Sequence, residues 1–447
     1  MRQQRHEHAL HKSRKQTPQQ MVSYALIIGC FMLWGFTNDM TGAMVSAFSK
    51  IFRISLLEGG LVNVANFLGY FVMAIPAALL IRKYKFKAGV LVGLGVYALG
   101  ALLFFPSKMT GAFSAFLSSY FIMTCGLAFL ETSCHPFVYS LGPEETGIVR
   151  LNFAQAFNAL GATIGMFIAH DVVQAGMSPL SSEERMNLPL AQFNIIKDHD
   201  LSVLIQPYLF ISTVIIILMV CIFLRKMTTQ DDKNEHRYLK ADLREILKLK
   251  NYREGVLAEF FYVGAQVACW TFIIQYGTRV FMAEGYNEAA AEMAAQKYNI
   301  AAIIIFAIGR FVSTWLLQFF KPGRFLAVMA IFAAAAIGGV MLFTDRNGLY
   351  CLVAVSGCMS MMFPTIYGIS LRGLGKHIKL ASAGLTMSVF GGAVFTALQA
   401  GIIQSEISLF GLSSVNLSFV VPLFCFILVA LFGHRAYVRQ YILHSYE

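Results

Sequence analysis

An all-α membrane protein is the fold class this sequence predicts, and three observations predict it. Of 447 residues, 57% are hydrophobic and 13% charged, against roughly a quarter charged in an ordinary soluble chain. The apolar residues gather in about twelve runs, each long enough to cross about 30 Å of hydrocarbon as a helix. Lys and Arg concentrate in alternate connections between those runs, the asymmetry that fixes topology in a membrane. Continuous apolar runs require helices, because a barrel strand would alternate and an open strand would leave backbone groups unpaired in lipid.

In chain order the runs lie at roughly 21–48, 58–81, 88–106, 111–139, 150–169 and 204–224, and then at roughly 254–278, 295–319, 324–343, 348–371, 379–403 and 415–434. The polar, basic start MRQQRHEHALHKSRKQTPQQ is followed by an apolar run too long for a signal-peptide core, so it reads as an uncleaved tail. One side of the membrane collects this tail, RKYKFK (Arg82 to Lys87), KPGR (Lys321 to Arg324) and LRGLGKHIK (Leu371 to Lys379). The positive-inside rule makes that side cytoplasmic, with both termini on it and the chain in the plasma (inner) membrane. The opposite side carries the acid-rich stretch 170–202. The net charge of +11 is therefore a topology signal spread over short turns, and no nucleic-acid patch is expected. All eight cysteines fall in apolar runs without CxxC spacing, which suggests neither disulfides nor a metal site.

A polar segment of mixed charge, Leu224 to Gly255, divides the runs six and six and reads in part as an amphipathic surface helix. The halves echo each other. GYFV (Gly69 to Val72) recurs as GRFV (Gly309 to Val312), and HPFVY (His135 to Tyr139) as FPTIY (Phe363 to Tyr367), each six helices apart. The expected organisation is a tail (1–20), a six-helix half (21–224), a linker (225–253), a second six-helix half (254–434) and a tail (435–447), two pseudo-symmetric halves with a central site.

A charged side chain near the bilayer centre costs at least about 2.5 kcal/mol, so polar residues inside the runs are the candidate site. Glu131 sits in CGLAFLETSCHPFVYSLG, with His135 one turn on along the same face. A carboxyl and an imidazole held together away from water are suited to exchanging a proton near neutral pH. LWGFTNDMTG (Leu33 to Gly42) brings Asn38 and Asp39 into the first span. RLNFAQAFNALG (Arg150 to Gly161) lines up Asn152, Gln155 and Asn158, amides that offer hydroxyl-rich ligands both donors and acceptors, or else join helices. The seventh span carries Tyr262, Gln266 and Trp270; an indole beside an amide at i+4 is a common way to hold a sugar ring. Arg310 and Glu259 read as a structural pair or a gate.

The stretch LETSCHPFVYSLGPEETGIVRLNFAQAFNALGA (Leu130 to Ala162) resembles the L-fucose/proton symporter family of the major facilitator superfamily, as do YVGAQVACW (Tyr262 to Trp270) and FPTIYGISLRGLG (Phe363 to Gly375). The resemblance implies the major facilitator fold, alternating access, and proton-driven import of a deoxyhexose or related hexose, L-fucose by preference. It implies that Glu131 is the protonatable, substrate-linked acid. Two positions depart from the pattern. The family's first-helix aspartate falls on Gly42, with Asp39 three positions earlier, and the asparagine of the Leu-Glu-Thr-Ala-Ala-Asn-Pro-Phe motif is His135. Proton coupling is thus expected of Glu131, Asp39 and His135, with sodium or no coupling ion as the alternative. Substrate binding is expected of Asn38, Glu131, Gln155, Asn158, Tyr262, Gln266 and Trp270. The expected partners are a small-molecule sugar, a proton and the lipid bilayer, with no cofactor or metal and the chain a monomer. A polytopic membrane enzyme would need a clustered carboxylate-histidine motif such as HExxH, and the sequence has none; a channel would need a filter motif.

Overall fold

The computed structural model describes residues 18–54, 56–180, 182–227, 239–405, 408 and 412–444. The principal helices of the first part are α1 (Pro18–Phe52), α2 (Leu61–Thr110), α3 (Phe113–Ser140), α4 (Gly147–Ile168) and α5 (Leu190–Leu224). A short helix, α6 (Leu239–Lys248), leads into α7 (Lys250–Ala283), α8 (Glu288–Leu316), α9 (Pro322–Leu342), α10 (Arg346–Met359), α11 (Met362–Leu371), α12 (Ile378–Met387), α13 (Gly391–Gln404) and α14 (Val420–His444). Among the described residues, 11 helices or near-continuous helix pairs are long and apolar enough to cross a membrane.

One of the eleven makes two crossings. The 50 residues of α2 would span about 75 Å if straight, more than twice the hydrocarbon thickness. At Lys85 the backbone leaves the helix, with φ 71° and ψ 168°, a left-handed conformation that costs a residue bearing a Cβ. The chain reverses there. A Cβ added to Gly89 would lie 2.2 Å from Ile81 Cγ2, whereas residues eight apart on a straight helix are separated by about 12 Å along its axis. The basic turn RKYKFK is therefore a hairpin between two apolar runs, and the crossings among the described residues number twelve.

The chain forms two compact units, Met1–Tyr238 with Gly373–Thr386, and Leu239–Arg372 with Met387–Glu447. Within the first, glycines set the helix contacts. A Cβ at Gly35 would meet Asn158 O at 1.9 Å, one at Gly161 would meet Met32 O at 2.0 Å, and one at Gly165 would meet Phe36 O at 2.3 Å. The backbones of α1 and α4 thus touch along two turns. In hydrocarbon no hydrophobic force draws helices together, so this close approach and its dispersion contacts supply the association. Gly126 packs α3 on the second arm of α2 in the same way, its Cβ position 2.3 Å from Tyr97 N.

The acid-rich connection between α4 and α5 is held by a buried ion pair. Arg185 Nη2 lies 2.7 Å from Asp200 Oδ2, and both side chains are fully buried. The arginine also donates to Leu180 O at 3.0 Å and Ser178 O at 2.9 Å, while Ser178 N donates to Asp200 Oδ1 at 2.8 Å. Removing one partner of such a pair strands the other charge. Arg185→Ala is expected to lower stability by about 3–5 kcal/mol, read as a large drop in the melting temperature of the purified protein. A drop no larger than that of an exposed-lysine control would show the pair to be dispensable.

Candidate functional site

In the first unit the site grows from the middle of α3. Glu131 is 1% exposed, and its Oε1 has no hydrogen-bond partner among the described residues. The Tyr70 hydroxyl of α2 lies within electrostatic reach of it. Trp34 Nε1 of α1 donates to that hydroxyl at 2.6 Å, and the Asn38 side chain reaches it as well. Trp34 and Asn38 are one helical turn apart, so α1 presents both on one face. Asn38 Oδ1 is buried without a partner among the described residues, and so is Asn66 Oδ1, one turn before Tyr70 on α2. Three buried acceptor atoms, from three helices, thus have no donor among the described residues.

His135 lies one turn further along α3. Its Nδ1 is 3.0 Å from Glu131 O, and Gln155 Nε2 is 2.6 Å from its Nε2. With the amide donating to Nε2, the ring is neutral and carries its proton on Nδ1, which donates to the carbonyl. Phe31 and Trp34 meet the imidazole edge to face, at 4.9 and 5.3 Å between centroids. The histidine therefore binds the backbone of Glu131 and the Gln155 amide, and α1 fixes its ring plane. Asn158 Nδ2 donates to Phe31 O at 3.1 Å, and Asn152 Nδ2 donates back to Ile148 O at 2.9 Å. The amide seam of α4 is thus engaged mainly by protein. Asp39 lies on α1, but its side chain falls outside the described residues, as does position 42.

Arg150 ties this region into one piece. Its guanidinium donates to Val138 O at 3.2 Å, Tyr139 O at 2.6 Å and Pro143 O at 3.1 Å, and also to Thr146 Oγ1. A cation on the last carbonyls of α3 satisfies its open end and complements its dipole. The end of α3, the turn LGPEET and the start of α4 are bound by this one side chain, which explains why their residues run together as a motif.

In the second unit, α7 carries the candidates. Tyr262 is fully buried and donates to Met359 O at 2.9 Å. Trp270, half-buried, donates from Nε1 to Ser356 Oγ at 3.1 Å and meets Phe306 edge to face at 4.8 Å. The Arg310 guanidinium lies 4.6 Å from the centroid of the same Phe306 ring. Glu259 and Arg310 are both within electrostatic reach of Tyr262. Gln266 is half-buried one turn before Trp270. No hydrogen bond engages its amide among the described residues, so it is available to a ligand.

The structure gathers Asn38, Glu131, His135 and Gln155 at one place, sets Asn158 to bracing α1, and aligns Tyr262, Gln266 and Trp270 along α7. Sequence reasoning missed Tyr70 and Asn66 of α2, Ser356 of α10 and Phe306 of α8. The i, i+4 pairs Trp34/Asn38 and Asn66/Tyr70 were the available signal.

Twelve crossings among the described residues, a buried carboxyl whose Oε1 has no donor among them, and an amide beside an indole on α7 define a polytopic carrier of polar solutes. The Major Facilitator Superfamily model matches residues 26–398. The L-fucose-proton symporter of Haemophilus influenzae is 41% identical over 423 residues, 93% of this chain and 97% of that protein. The L-fucose-proton symporter of Escherichia coli is 31% identical over 432 residues, 95% of each. A crystal structure of the E. coli fucose:proton symporter superposes with TM-score 0.83 at 30% identity, covering 94% of this chain and 99% of that one. The chain belongs to the L-fucose-proton symporter family of the major facilitator superfamily. It is a multi-pass membrane transporter, not an enzyme.

Proposed function

We propose that this chain imports L-fucose together with protons, cycling between two access states, with both termini in the cytoplasm of a cell whose plasma (inner) membrane it spans as a monomer. The observation that carries the reading is Glu131: a carboxyl at 1% exposure with an oxygen lacking any protein donor among the described residues. Such a group is costly in a membrane unless it has work to do. The neutral carboxyl carries the proton while it hydrogen-bonds the sugar's hydroxyls, and it ionises once both have been released. Asn38, Gln155 and Asn158 supply further polar contacts in the first unit, and Tyr262, Gln266 and Trp270 in the second. The activity of those relatives, L-fucose-proton symport, supports the choice of L-fucose and of the proton. Asp39 shares the coupling role from the turn before Gly42, and His135 holds Gln155 and the Glu131 carbonyl in register. Its direct share in the proton is tested by His135→Asn, which restores the family's residue.

Purified protein in liposomes tests this reading. A pH gradient, acid outside, is expected to concentrate labelled L-fucose inside, about tenfold per pH unit for one proton per sugar, while a sodium gradient alone concentrates none. Accumulation driven by sodium, or equilibration without accumulation under either gradient, would overturn proton symport. A sugar panel under counterflow would overturn L-fucose if another hexose exchanged better.

A further inference from the structure

The helix α6 presents a face that the protein leaves uncovered. On a wheel of about 100° per residue, Asp242 and Ile246 share one side, and both are buried (6% and 1% exposed). Next around the helix come Leu239, Leu243 and Leu247, a row at i, i+4 and i+8 that is 42%, 46% and 48% exposed. Beyond the leucines lie Arg244 and Lys248, both exposed. Around the helix the order is thus buried side, apolar row, basic edge.

Its place in the chain says what covers that row. A single residue, Leu249, separates α6 from α7, which crosses the membrane. Leu249 is extended, with φ −75° and ψ 110°, so α6 does not continue the axis of the crossing helix. The start of α7 is polar and ion-paired, as the membrane–water boundary requires of a crossing helix. Asn251 Nδ2 donates to Ile369 O at 2.7 Å, and Glu254 pairs with Arg439 of α14 and lies 3.8 Å from Arg435. A helix attached at this level, with leucines on one flank and cations beside them, matches the composition of an in-plane interfacial helix. Three exposed leucines would be a costly choice against water, and the two cations a costly one against hydrocarbon.

We propose that α6 lies on the cytoplasmic leaflet, with Leu239, Leu243 and Leu247 sunk among the upper acyl chains and Arg244 and Lys248 on the phosphates of anionic lipids. The partner is an anionic phospholipid surface. The helix thereby fixes the start of α7, the helix bearing Gln266 and Trp270, to the membrane plane. This surface is independent of which solute the carrier moves.

Hydrogen exchange on the full chain in vesicles tests it. In phosphatidylcholine mixed with phosphatidylglycerol, the amides of 239–248 are expected to exchange about thirty-fold more slowly than in phosphatidylcholine alone, given two basic residues near a charged surface. Arg244→Gln combined with Lys248→Gln should abolish the difference between the two lipids, and raised salt should shrink it. Leu243→Ser combined with Leu247→Ser should speed exchange in both lipids. In every case the amides in the membrane portion of α7 should stay protected, which reports that the variants fold. Equal exchange in the two lipids, or slow exchange that survives the leucine variant, would overturn the proposal and assign the face to a protein partner.

Discussion

Glu131→Gln is expected to exchange L-fucose between liposomes and medium at equal concentrations and to lose all accumulation under an imposed pH gradient. The amide keeps the shape of the neutral carboxyl and can hydrogen-bond a sugar, but it cannot bind or release a proton. Moving a neutral sugar uphill requires a load that the gradient drives, and one proton supplies about 1.4 kcal/mol per pH unit or about 2.3 kcal/mol per 100 mV. The parent should therefore reach roughly a tenfold ratio at one pH unit, and the variant a ratio near one. Coupling is reciprocal, so if protonation favours sugar binding then sugar binding favours protonation. In the parent, affinity for L-fucose should accordingly fall as pH rises through the titration of the site, and in Glu131→Gln it should become flat. The local structure favours this clean separation, because Glu131 Oε1 has no protein donor among the described residues whose loss could unfold the bundle. Asp39→Asn measures the second acid. A loss of accumulation with exchange preserved places part of the coupling on the residue three positions before Gly42. Accumulation by Glu131→Gln under a pH gradient alone would sink the assignment and move the proton elsewhere.

The parts of this architecture legible in the sequence are those where burial in lipid makes one residue type expensive. Runs near 20 apolar residues must be helices, and Glu131, Gln155 and Gln266 stand out inside them because an unsatisfied polar group there costs several kcal/mol. The hairpin at Lys85 was legible as a basic turn between runs, although helix resumes on both sides of that single residue. Tyr70 was not legible as part of the site. A tyrosine in a membrane helix reads equally as packing or as an interface anchor, and its bond to Trp34 joins residues 36 apart in sequence. The same limit applied to His135. Its i+4 spacing from Glu131 marked it as a neighbour of the carboxyl but not its partners, the Glu131 carbonyl and the Gln155 amide, nor the two aromatic edges that hold the ring. Which atom of a neighbour a side chain meets depends on rotamer and helix rotation, and periodicity carries neither.

Gln266→Ala is expected to weaken L-fucose binding about tenfold or more while leaving the melting temperature of the sugar-free protein unchanged. The two expectations separate because no hydrogen bond engages this amide among the described residues, so its removal costs the fold little, while a sugar hydroxyl loses a partner worth about 0.5–1.5 kcal/mol or more in a dry site. Trp270→Ala differs. The indole donates to Ser356 Oγ at 3.1 Å and packs on Phe306 at 4.8 Å, so truncation removes one of the two hydrogen bonds of that buried hydroxyl, which keeps its bond to Leu352 O at 3.4 Å, and opens a gap beside the ring that also carries the Arg310 guanidinium. This variant should lose sugar binding and some stability together, and Trp270→Phe should recover the packing without the Ser356 bond. The informative comparison is therefore the thermal shift induced by saturating L-fucose, measured against each variant's own sugar-free baseline. The parent should shift, Gln266→Ala should shift much less from an unchanged baseline, and Trp270→Phe should fall between. If Gln266→Ala responds to L-fucose as the parent does, the sugar does not lie on this face of α7. The exposed edge of Trp270 would then be a packing surface for neighbouring helices, and the amide one turn before it a bystander.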